Sequence, residues 1–274
     1  MNNQNEIYEF DAIVIGGGIV GLAIAYELST EYENILIVEK ETTFGRHVSS
    51  RNSEVIHSGL YYKPDSLKAR LCVEGNRLIY DFSRKYNINH NNCGKLIVIP
   101  TIAELSSLEE LMQNGLQNGV EGLQILTSSE VKQREPLIKS AAAMYVPSTG
   151  IIDSHSIMHK LEYLIKSNGS SIVYNTEVTG LTQEAGNYIL SFKNMDYQAK
   201  SKIVINSAGL WCDEVSTMLG INDYKLHICK GEYYKTSMYK NELNSLIYPL
   251  PTAISLGTHI ILHLDGTIGF GPNA

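Results

Sequence analysis

Short apolar runs interrupted by glycines characterise the start of the chain. Residues 10–15 (FDAIVI) and 34–39 (NILIVE) are continuous apolar runs, as in strands buried on both faces of a parallel sheet. Between them, residues 19–30 carry apolar positions at helical spacing. A strand, a glycine turn, a helix and a second strand form a βαβ unit, whose crossover is almost always right-handed. The pattern predicts an α/β protein that begins with a Rossmann-type domain.

Downstream, the periodicity changes several times and predicts further helices and strands. Helices are expected over residues 65–86, 101–118 and 154–167, and buried strands over residues 95–99, 171–174 and 202–206. Short antiparallel strands are expected over residues 177–201, and long strands over 225–236 and 259–270, the latter as a hairpin turning at Asp265-Gly266.

These elements predict two domains, each built from two segments. Residues 1–85 and 146–220 are assigned to the Rossmann-type domain. The apolar strand at 202–206 is followed by a turn of small residues, which is the same order of features as at the start of the first βαβ unit. Residues 86–145 and 221–274 are assigned to a second, α+β domain built on a mixed or antiparallel sheet. The chain ends soon after Phe270 without a closing element, so this second domain is expected to be truncated at its C-terminus.

Charge and composition narrow the range of partners. The chain has 274 residues, 43% of them hydrophobic, and a formal net charge of −7, which argues against a nucleic-acid partner. A small anionic substrate remains compatible with that charge, since a pocket can be locally basic. The four cysteines are scattered and show no metal-ligand spacing, and the polar, acidic residues 1–9 do not have the basic and apolar regions expected of a secretory signal. We expect reduced cysteines, no bound metal and a cytoplasmic location.

Residues 16–21 (GGGIVG) match the pattern G-x-G-x-x-G of dinucleotide-binding turns. The first glycine allows the tight turn, Gly18 lets the backbone approach a pyrophosphate, and Gly21 lets the helix pack on the sheet. Glu39, at the end of the second strand, can accept hydrogen bonds from a ribose diol. The glycines alone do not decide between NAD and FAD. The candidate cofactor contacts in this unit are Gly16, Gly18, Ile19, Val20, Gly21, Glu39 and Lys40.

The segments that follow favour a flavin. Residues 47–62 (HVSSRNSEVIHSGLYY) and 66–72 (SLKARLC) resemble the L-2-hydroxyglutarate dehydrogenase/oxidase family, within the glycine oxidase and D-amino-acid oxidase superfamily of flavoproteins. Shorter matches occur at residues 93–96 (CGKL) and 207–210 (SAGL), and the chain departs from the family at Arg51, often a histidine, and at Glu54, commonly a glycine. The resemblance implies an FAD cofactor, two domains and oxidation of a small anionic 2-hydroxy acid.

The resemblance also assigns candidate roles around the cofactor. Ser49, Asn52 and Ser53 are hydrogen-bonding side chains for the pyrophosphate or the flavin edge. Val178, Ala208 and Gly209 complete the expected cofactor set, where the chain returns to the nucleotide-binding sheet.

Oxidation of a hydroxy acid at FAD implies that hydride moves from the substrate Cα to flavin N5 while a base takes the hydroxyl proton. His57 and His259 are the candidate bases, with a histidine satisfied by backbone hydrogen bonds as the alternative for each. Arg51 is a catalytic-site candidate that could bind a substrate carboxylate, contact flavin phosphates or pair with Glu54.

Three further residues are candidate substrate contacts. Tyr61 and Tyr62 could line the pocket through their hydroxyls or pack as aromatics. Lys230, on the strand expected over residues 225–236, is either a second carboxylate anchor or part of a solvent-facing charged surface.

Other functions remain open at this stage. An FAD-dependent amino-acid or amine oxidase of the same superfamily is one alternative, and a nicotinamide-dependent dehydrogenase is another. A third is a nucleotide-binding fragment without catalysis. For an active enzyme, electrons would leave to oxygen, a quinone or another protein, and a quinone acceptor would place the protein at the membrane periphery.

Overall fold

The computed structural model describes residues 6–251 and 257–273, which form two compact units. Unit 1 comprises the described residues up to Asn52 together with Ser154–Ile228, and unit 2 comprises Ser53–Asp153 together with the described residues from Cys229 onward. The first segment of unit 1 thus ends well before the boundary expected after residue 85. The helix Leu67–Tyr86 belongs to unit 2, where the hydroxyl of Tyr80 donates to the carbonyl of Ser148 at 3.2 Å. The return to unit 1 occurs at Ser154, instead of residue 146.

The helices and strands are numbered in chain order. The α-helices are α1 (Ile19–Leu28), α2 (Leu67–Tyr86), α3 (Leu105–Gln117), α4 (Ser128–Arg134), α5 (Ser154–Ser167) and α6 (Cys212–Thr217). Short 3₁₀ helices span Val48–Ser50, Ile102–Glu104 and Gly209–Trp211. The strands are β1 (Glu6–Glu9), β2 (Ala12–Ile15), β3 (Ile35–Val38), β4 (Val55–Ile56), β5 (His90–Asn91), β6 (Lys95–Ile99), β7 (Gln124–Thr127), β8 (Ala142–Val146), β9 (Gly150–Ile152), β10 (Ser171–Val173), β11 (Val178–Glu184), β12 (Asn187–Phe192), β13 (Tyr197–Ser201), β14 (Ile203–Asn206), β15 (Tyr234–Thr236), β16 (Leu246–Pro249), β17 (His259–Leu262) and β18 (Ile268–Gly271).

Unit 1 contains a parallel sheet with the strand order β10-β3-β2-β14. The strands β2 and β3 are fully buried, as their continuous apolar sequences predict. The expected return of the chain to this sheet is confirmed, because β14 pairs with β2 along its whole length. Helices α1 and α5 pack against each other, which matches the Rossmann-type prediction for this part of the fold.

A second sheet in unit 1 has the order β1-β13-β12-β11 and includes the expected antiparallel strands. Its apolar side chains form one core cluster with those of the parallel sheet, including Ile13, Val38, Leu190 and Phe192. The burial of this cluster fixes the positions of the strands that end at the nucleotide-binding turn.

Unit 2 is built on a seven-stranded mixed sheet with the order β15-β18-β17-β16-β6-β8-β7, accompanied by a three-stranded sheet β4-β9-β5. Strand β6 is parallel to β16 and antiparallel to β8. One core cluster includes Ile97, Ile99 and Leu108 of α3, and another includes Leu96 and Val131 of α4. Because side chains alternate along a strand, the two clusters lie on opposite faces of the sheet. The predicted α+β unit on a mixed sheet is confirmed.

Two predicted elements differ from the structure. The strand expected over residues 225–236 is wrong for most of its length, since only Tyr234–Thr236 pairs, with β18. The preceding residues are exposed and lack a neighbouring strand, so alternating polar and apolar residues do not make a strand there. The helix expected from residue 101 begins as a 3₁₀ turn, Ile102–Glu104, with a capping box between Thr101 and Glu104.

Candidate cofactor and substrate sites

The carboxyl ends of three parallel strands in unit 1 meet at one edge of the sheet. Strand β2 ends before Gly16, β3 ends before Glu39, and β14 ends before the turn that contains Ala208. Ligands of open α/β sheets bind in the crevice outside this edge. The sequence motif, the acidic residue and the returning small-residue turn therefore occupy the positions that a dinucleotide site requires.

Two glycines of the motif are required by backbone contacts. Gly16 has φ +106°, and a Cβ built there would lie 2.3 Å from the carbonyl oxygen of Ser207. A Cβ on Gly21 would lie 2.0 Å from the carbonyl oxygen of Gly16. Both positions hold α1 close to the sheet and to the turn after β14, so a larger residue at either would displace backbone.

At the third glycine, Gly18, the backbone leaves a space above the N-terminus of α1, which we call the cradle. A Cβ built on Gly18 would meet a single neighbouring atom within 4 Å, the Oγ of Ser49 at 3.0 Å, so apart from this hydroxyl the space above the turn is open among the described residues. Gly18 is the N-cap of α1 and offers no side-chain cap, and the amide of Ile19 donates to Ser49 Oγ at 3.0 Å. Within the described residues, the amides of Gly18 and Val20 have no hydrogen-bond acceptor. Unsatisfied amides at a helix N-terminus are suited to a phosphate.

Glu39 is positioned by the backbone of the same turn. Its buried carboxylate accepts from the amide of Gly17 at 2.7 Å and from the amide of Glu41 at 2.9 Å. An ionised carboxylate has about four acceptor positions, so two remain for a ribose diol. Together with the open cradle, this arrangement fits the diphosphate and ribose of FAD.

The other predicted cofactor residues of unit 1 lie on several of its elements. Lys40 Nζ lies 2.9 Å from the ring centroid of Trp211, in the 3₁₀ turn that begins at Gly209. Val178 is the first residue of β11, and Asn52 donates to the carbonyl of Ser49 at 2.9 Å. Ser53 is the exception, since it belongs to unit 2.

The side chain of Arg51 extends into solvent. Its guanidinium donates to the carbonyl of Ser50 at 3.1 Å, its one hydrogen bond to the described residues. The local contact neither establishes nor removes the predicted carboxylate or phosphate role, which stays a prediction.

Unit 2 contains a buried basic cluster on the same sheet face as Ile97 and Ile99. Lys95, the first residue of β6, is only 1% exposed. Its Nζ lies 4.5 Å from the ring centroid of Tyr61 and 4.8 Å from that of Tyr248. His259, also buried, stacks on the Tyr248 ring with the centroids 3.8 Å apart. The cluster brings together two predicted residues, Tyr61 and His259, with two unpredicted ones.

The histidines of this cluster favour their neutral forms. Burial and the charge of Lys95 lower the pKa of His259 to about 4, against a smaller opposing effect of the Gly257 backbone. Its Nδ1 is buried and makes no hydrogen bond to the described residues. His57 keeps an exposed edge, yet the protein around it and the charges of Lys95 and Lys68 lower its pKa as well. Neutral imidazoles can accept a proton at neutral pH.

Three asparagine side chains hold the segment 57–62. Asn76 of α2 donates to the carbonyl of His57 at 2.9 Å and also to that of Ser148 at 2.9 Å. Asn114 of α3 donates to the carbonyls of Leu60 and Tyr62 at 2.7 and 3.0 Å. Asn118, the C-cap of α3, donates to those of Gly59 and Tyr62 at 2.9 and 2.8 Å. A segment without regular structure is thereby fixed through its backbone, as the site residues on it require.

The predicted substrate residues differ in their surroundings. Tyr61 and Tyr62 are half-buried, and burial raises the pKa of both phenols, so both are protonated hydrogen-bond donors at neutral pH. Lys230 is exposed and pairs with Glu232 at 2.8 Å, which favours the solvent-facing alternative of the two considered for it.

Sequence reasoning missed Lys95, Tyr248 and the three asparagines. One signal was available for Lys95, because it is the only charged residue of the apolar run KLIVI. Lysine is almost never fully buried without a partner, so a lysine opening a buried strand is a candidate functional residue. The asparagines gave no such signal, since their role depends on the tertiary position of the segment that they bind.

The parallel sheet with its glycine turn, joined in one chain to a mixed-sheet unit, defines a dinucleotide-binding α/β protein of two units. The model of the family described as FAD dependent oxidoreductase matches residues 11–274. The chain belongs to this family, and the predicted flavoprotein class with FAD as its cofactor is confirmed. Among the described residues, no helix combines the length and apolarity needed to cross a bilayer.

Curated relatives cover nearly the whole chain. It is 36% identical over 281 residues to the mitochondrial L-2-hydroxyglutarate dehydrogenase of Pongo abelii, covering 97% of this chain and 67% of that protein. For the Mus musculus protein of the same name the identity is 38%, over 95% of this chain and 60% of the relative. For L-2-hydroxyglutarate dehydrogenase of Escherichia coli (strain K12) the identity is 34%, over 97% of this chain and 64% of the relative. The chain thus spans about two thirds of the length of these relatives.

Solved structures agree with the fold. An L-alpha-glycerophosphate oxidase from Mycoplasma pneumoniae, with FAD bound, superposes with a TM-score of 0.87 at 26% identity, over 97% of this chain and 71% of that one. A glycine oxidase from Geobacillus kaustophilus gives a TM-score of 0.80 at 20% identity, over 97% of this chain and 71% of the oxidase. The second likeness concerns the fold alone.

Proposed function

We propose that this chain oxidises a small anionic 2-hydroxy acid to the 2-keto acid with FAD, and that L-2-hydroxyglutarate is its substrate. The observation that carries the proposal is the 34–38% identity to L-2-hydroxyglutarate dehydrogenases over 95–97% of the chain. The basic cluster of unit 2 supports it, because an anionic substrate needs a positively charged site within a chain of net charge −7.

In this proposal unit 1 binds the cofactor. The open turn at Gly18 and the amides of α1 accept the diphosphate, while Glu39 accepts hydrogen bonds from the ribose. FAD, when bound, accepts the two electrons that leave the substrate carbon. These electrons then pass to oxygen, a quinone or another protein.

Unit 2 supplies the proton acceptor. His57 and His259 are both neutral near pH 7, so the unprotonated nitrogen of either imidazole is free to take the hydroxyl proton of the substrate; their lowered pKa values make both weaker bases than a free histidine. His259 is the stronger candidate, because its buried Nδ1 is without a partner among the described residues. A buried polar atom without a hydrogen bond is costly and is explained by a ligand that pairs with it.

A substrate panel tests this function directly. The flavin-loaded chain is mixed without oxygen with L-2-hydroxyglutarate, its D-enantiomer, lactate, glycolate, proline or glycine, and loss of the oxidised flavin absorbance is followed. We expect L-2-hydroxyglutarate to reduce the flavin fastest. Reduction by an amine with no response to any hydroxy acid would favour an amine oxidase. Failure of every compound, although flavin is bound, would favour a nucleotide-binding fragment without catalysis.

A further inference from the structure

Lys95 is a buried cation without a counter-ion. It is 1% exposed, and within the described residues no carboxylate lies at ion-pair distance from its Nζ. The ion pairs of unit 2 lie instead on its surface, as in Lys235–Asp265 and Lys230–Glu232. Burying an ammonium group without an anion costs several kcal/mol, so a protein rarely keeps such a group unless a ligand compensates it.

The surroundings of Lys95 compensate its charge only in part. The Tyr61 and Tyr248 rings lie 4.5 and 4.8 Å from its Nζ, at cation–π distance. Neither contact supplies the anionic acceptor that an ammonium group prefers. Burial lowers the pKa of Lys95 to about 7, with a small opposing effect from Cys72, so the charged form is present at neutral pH and an added anion would stabilise it.

A second lysine, Lys68, adds to the positive potential near Lys95. The charge of Lys95 acts on both His57 and His259, and Lys68 also acts on His57. Lys68 Nζ lies 4.6 Å from the Tyr62 ring centroid, so it too is directed at the segment 57–62. Two lysines thus act on the segment that carries His57, both histidines are neutral, and no described acidic side chain lies at ion-pair distance from Lys95.

We propose that Lys95 binds a carboxylate of the substrate and is the residue that selects anionic 2-hydroxy acids. The carboxylate replaces the missing counter-ion, and the neighbouring imidazoles are left to contact the hydroxyl group. The inference rests on the proposed function, since it assigns the substrate class to that same site. It also replaces exposed Lys230 as the candidate anchor.

Binding of inert acids to the FAD-loaded chain tests this assignment. Glutarate and butyrate are titrated calorimetrically into the wild type, Lys95→Met and Lys95→Arg. Methionine matches the unbranched lysine side chain as far as the ε carbon and removes the ammonium group, so we expect the Kd of glutarate to rise about 10- to 100-fold, the range for a charge-assisted hydrogen bond. Arginine should retain part of the affinity. A loss for glutarate alone would assign Lys95 to the second carboxylate, and a loss for both acids to the carboxylate that they share.

Lys85→Met is the matched control. Lys85 is an exposed lysine of unit 2 whose Nζ lies 4.9 Å from the Tyr86 ring centroid, so the variant removes a comparable cation–π contact. We expect glutarate affinity to be unchanged in it. Thermal unfolding of each variant separates loss of binding from loss of structure.

The outcomes separate this inference from the proposed function. Reduction of the flavin by L-2-hydroxyglutarate, combined with unchanged glutarate affinity in Lys95→Met, would overturn the role of Lys95 and leave the function intact. A fall in kcat with unchanged Kd would also overturn it, because it would indicate proton transfer. Loss of glutarate affinity in a chain whose flavin no hydroxy acid reduces would support the anion site and reject the function.

The pH dependence of binding gives a second measurement. Above about pH 7 the ammonium of free Lys95 is lost, so glutarate affinity should fall as the pH rises in the wild type and stay nearly flat in Lys95→Met. The titratable groups that face Lys95 are His57 and Tyr61 after β4, Lys68 and Cys72 of α2, Tyr248 of β16 and His259 of β17. An equal fall in both proteins would assign the dependence to one of these groups and contradict the proposal.

Discussion

Glycines within a single turn have different physical roles. Gly21 is required by the fold, since a Cβ there would lie 2.0 Å from the carbonyl oxygen of Gly16. Gly18 has φ −76°, an ordinary value for any residue, and its nearest neighbour is a serine hydroxyl. The sequence motif does not distinguish these roles, but the structure does, and the difference predicts two separable phenotypes.

Gly18→Val should fold and bind FAD poorly. The added side chain would fill the cradle above α1, and we expect the Kd of FAD to rise about tenfold or more, with a small change in unfolding temperature. Flavin absorbance after gel filtration measures the first effect, and thermal unfolding of the apoprotein measures the second. Gly21→Ala is the contrasting variant, expected to lose about 1–3 kcal/mol of stability through overpacking. Undiminished FAD affinity in Gly18→Val would refute the cradle.

At the scale of elements, strands and helices hold irregular segments in place for the site. The segment 57–62 has no regular structure, and side chains of α2 and α3 bind four of its carbonyl groups. Asn118, like Asn114, donates from its amide to two carbonyls of this segment. Replacing this donor with an acceptor of the same shape should displace the segment without changing the packed volume.

Asn118→Asp should therefore lower kcat for L-2-hydroxyglutarate more than it changes FAD affinity. The carboxylate would face the carbonyls of Gly59 and Tyr62, and leaving such groups unpaired costs about 1–3 kcal/mol. Asn222→Asp is the control, since Asn222 is exposed and donates to the single carbonyl of Gly220 at 3.1 Å. Stopped-flow reduction and FAD titration separate the two parameters. A parallel loss of both would indicate a structural role alone.

The elements with continuous or regular apolar patterns could be predicted from the sequence. The apolar runs of β2 and β3 and the amphipathic pattern of α5 are local signals, and the helix Ser154–Ser167 has the predicted bounds. The strand expected over residues 225–236 does not form over most of that range. Alternating polar and apolar residues indicate which face of a strand could be buried, but they do not provide a partner strand. Likewise, the surroundings of Lys95 come from Tyr61, Tyr248 and His259, which are distant in sequence and brought together only by the sheet.

At the scale of the whole molecule, we assign separate tasks to the two units. Unit 1 presents the ends of parallel strands, a glycine turn and Glu39 to a dinucleotide, and unit 2 presents a basic cluster to an acid. The net charge of −7 is compatible with an anionic substrate, because a buried lysine can make one site locally positive. All of the proposed chemistry depends on unit 1 binding FAD.

Titration of the apoprotein with FAD in the presence of excess NADH tests that dependence most directly, with quenching of flavin fluorescence as the signal. We predict saturable binding of one FAD per chain that NADH does not displace. Absence of saturation, or displacement of FAD by NADH, would contradict the central claim.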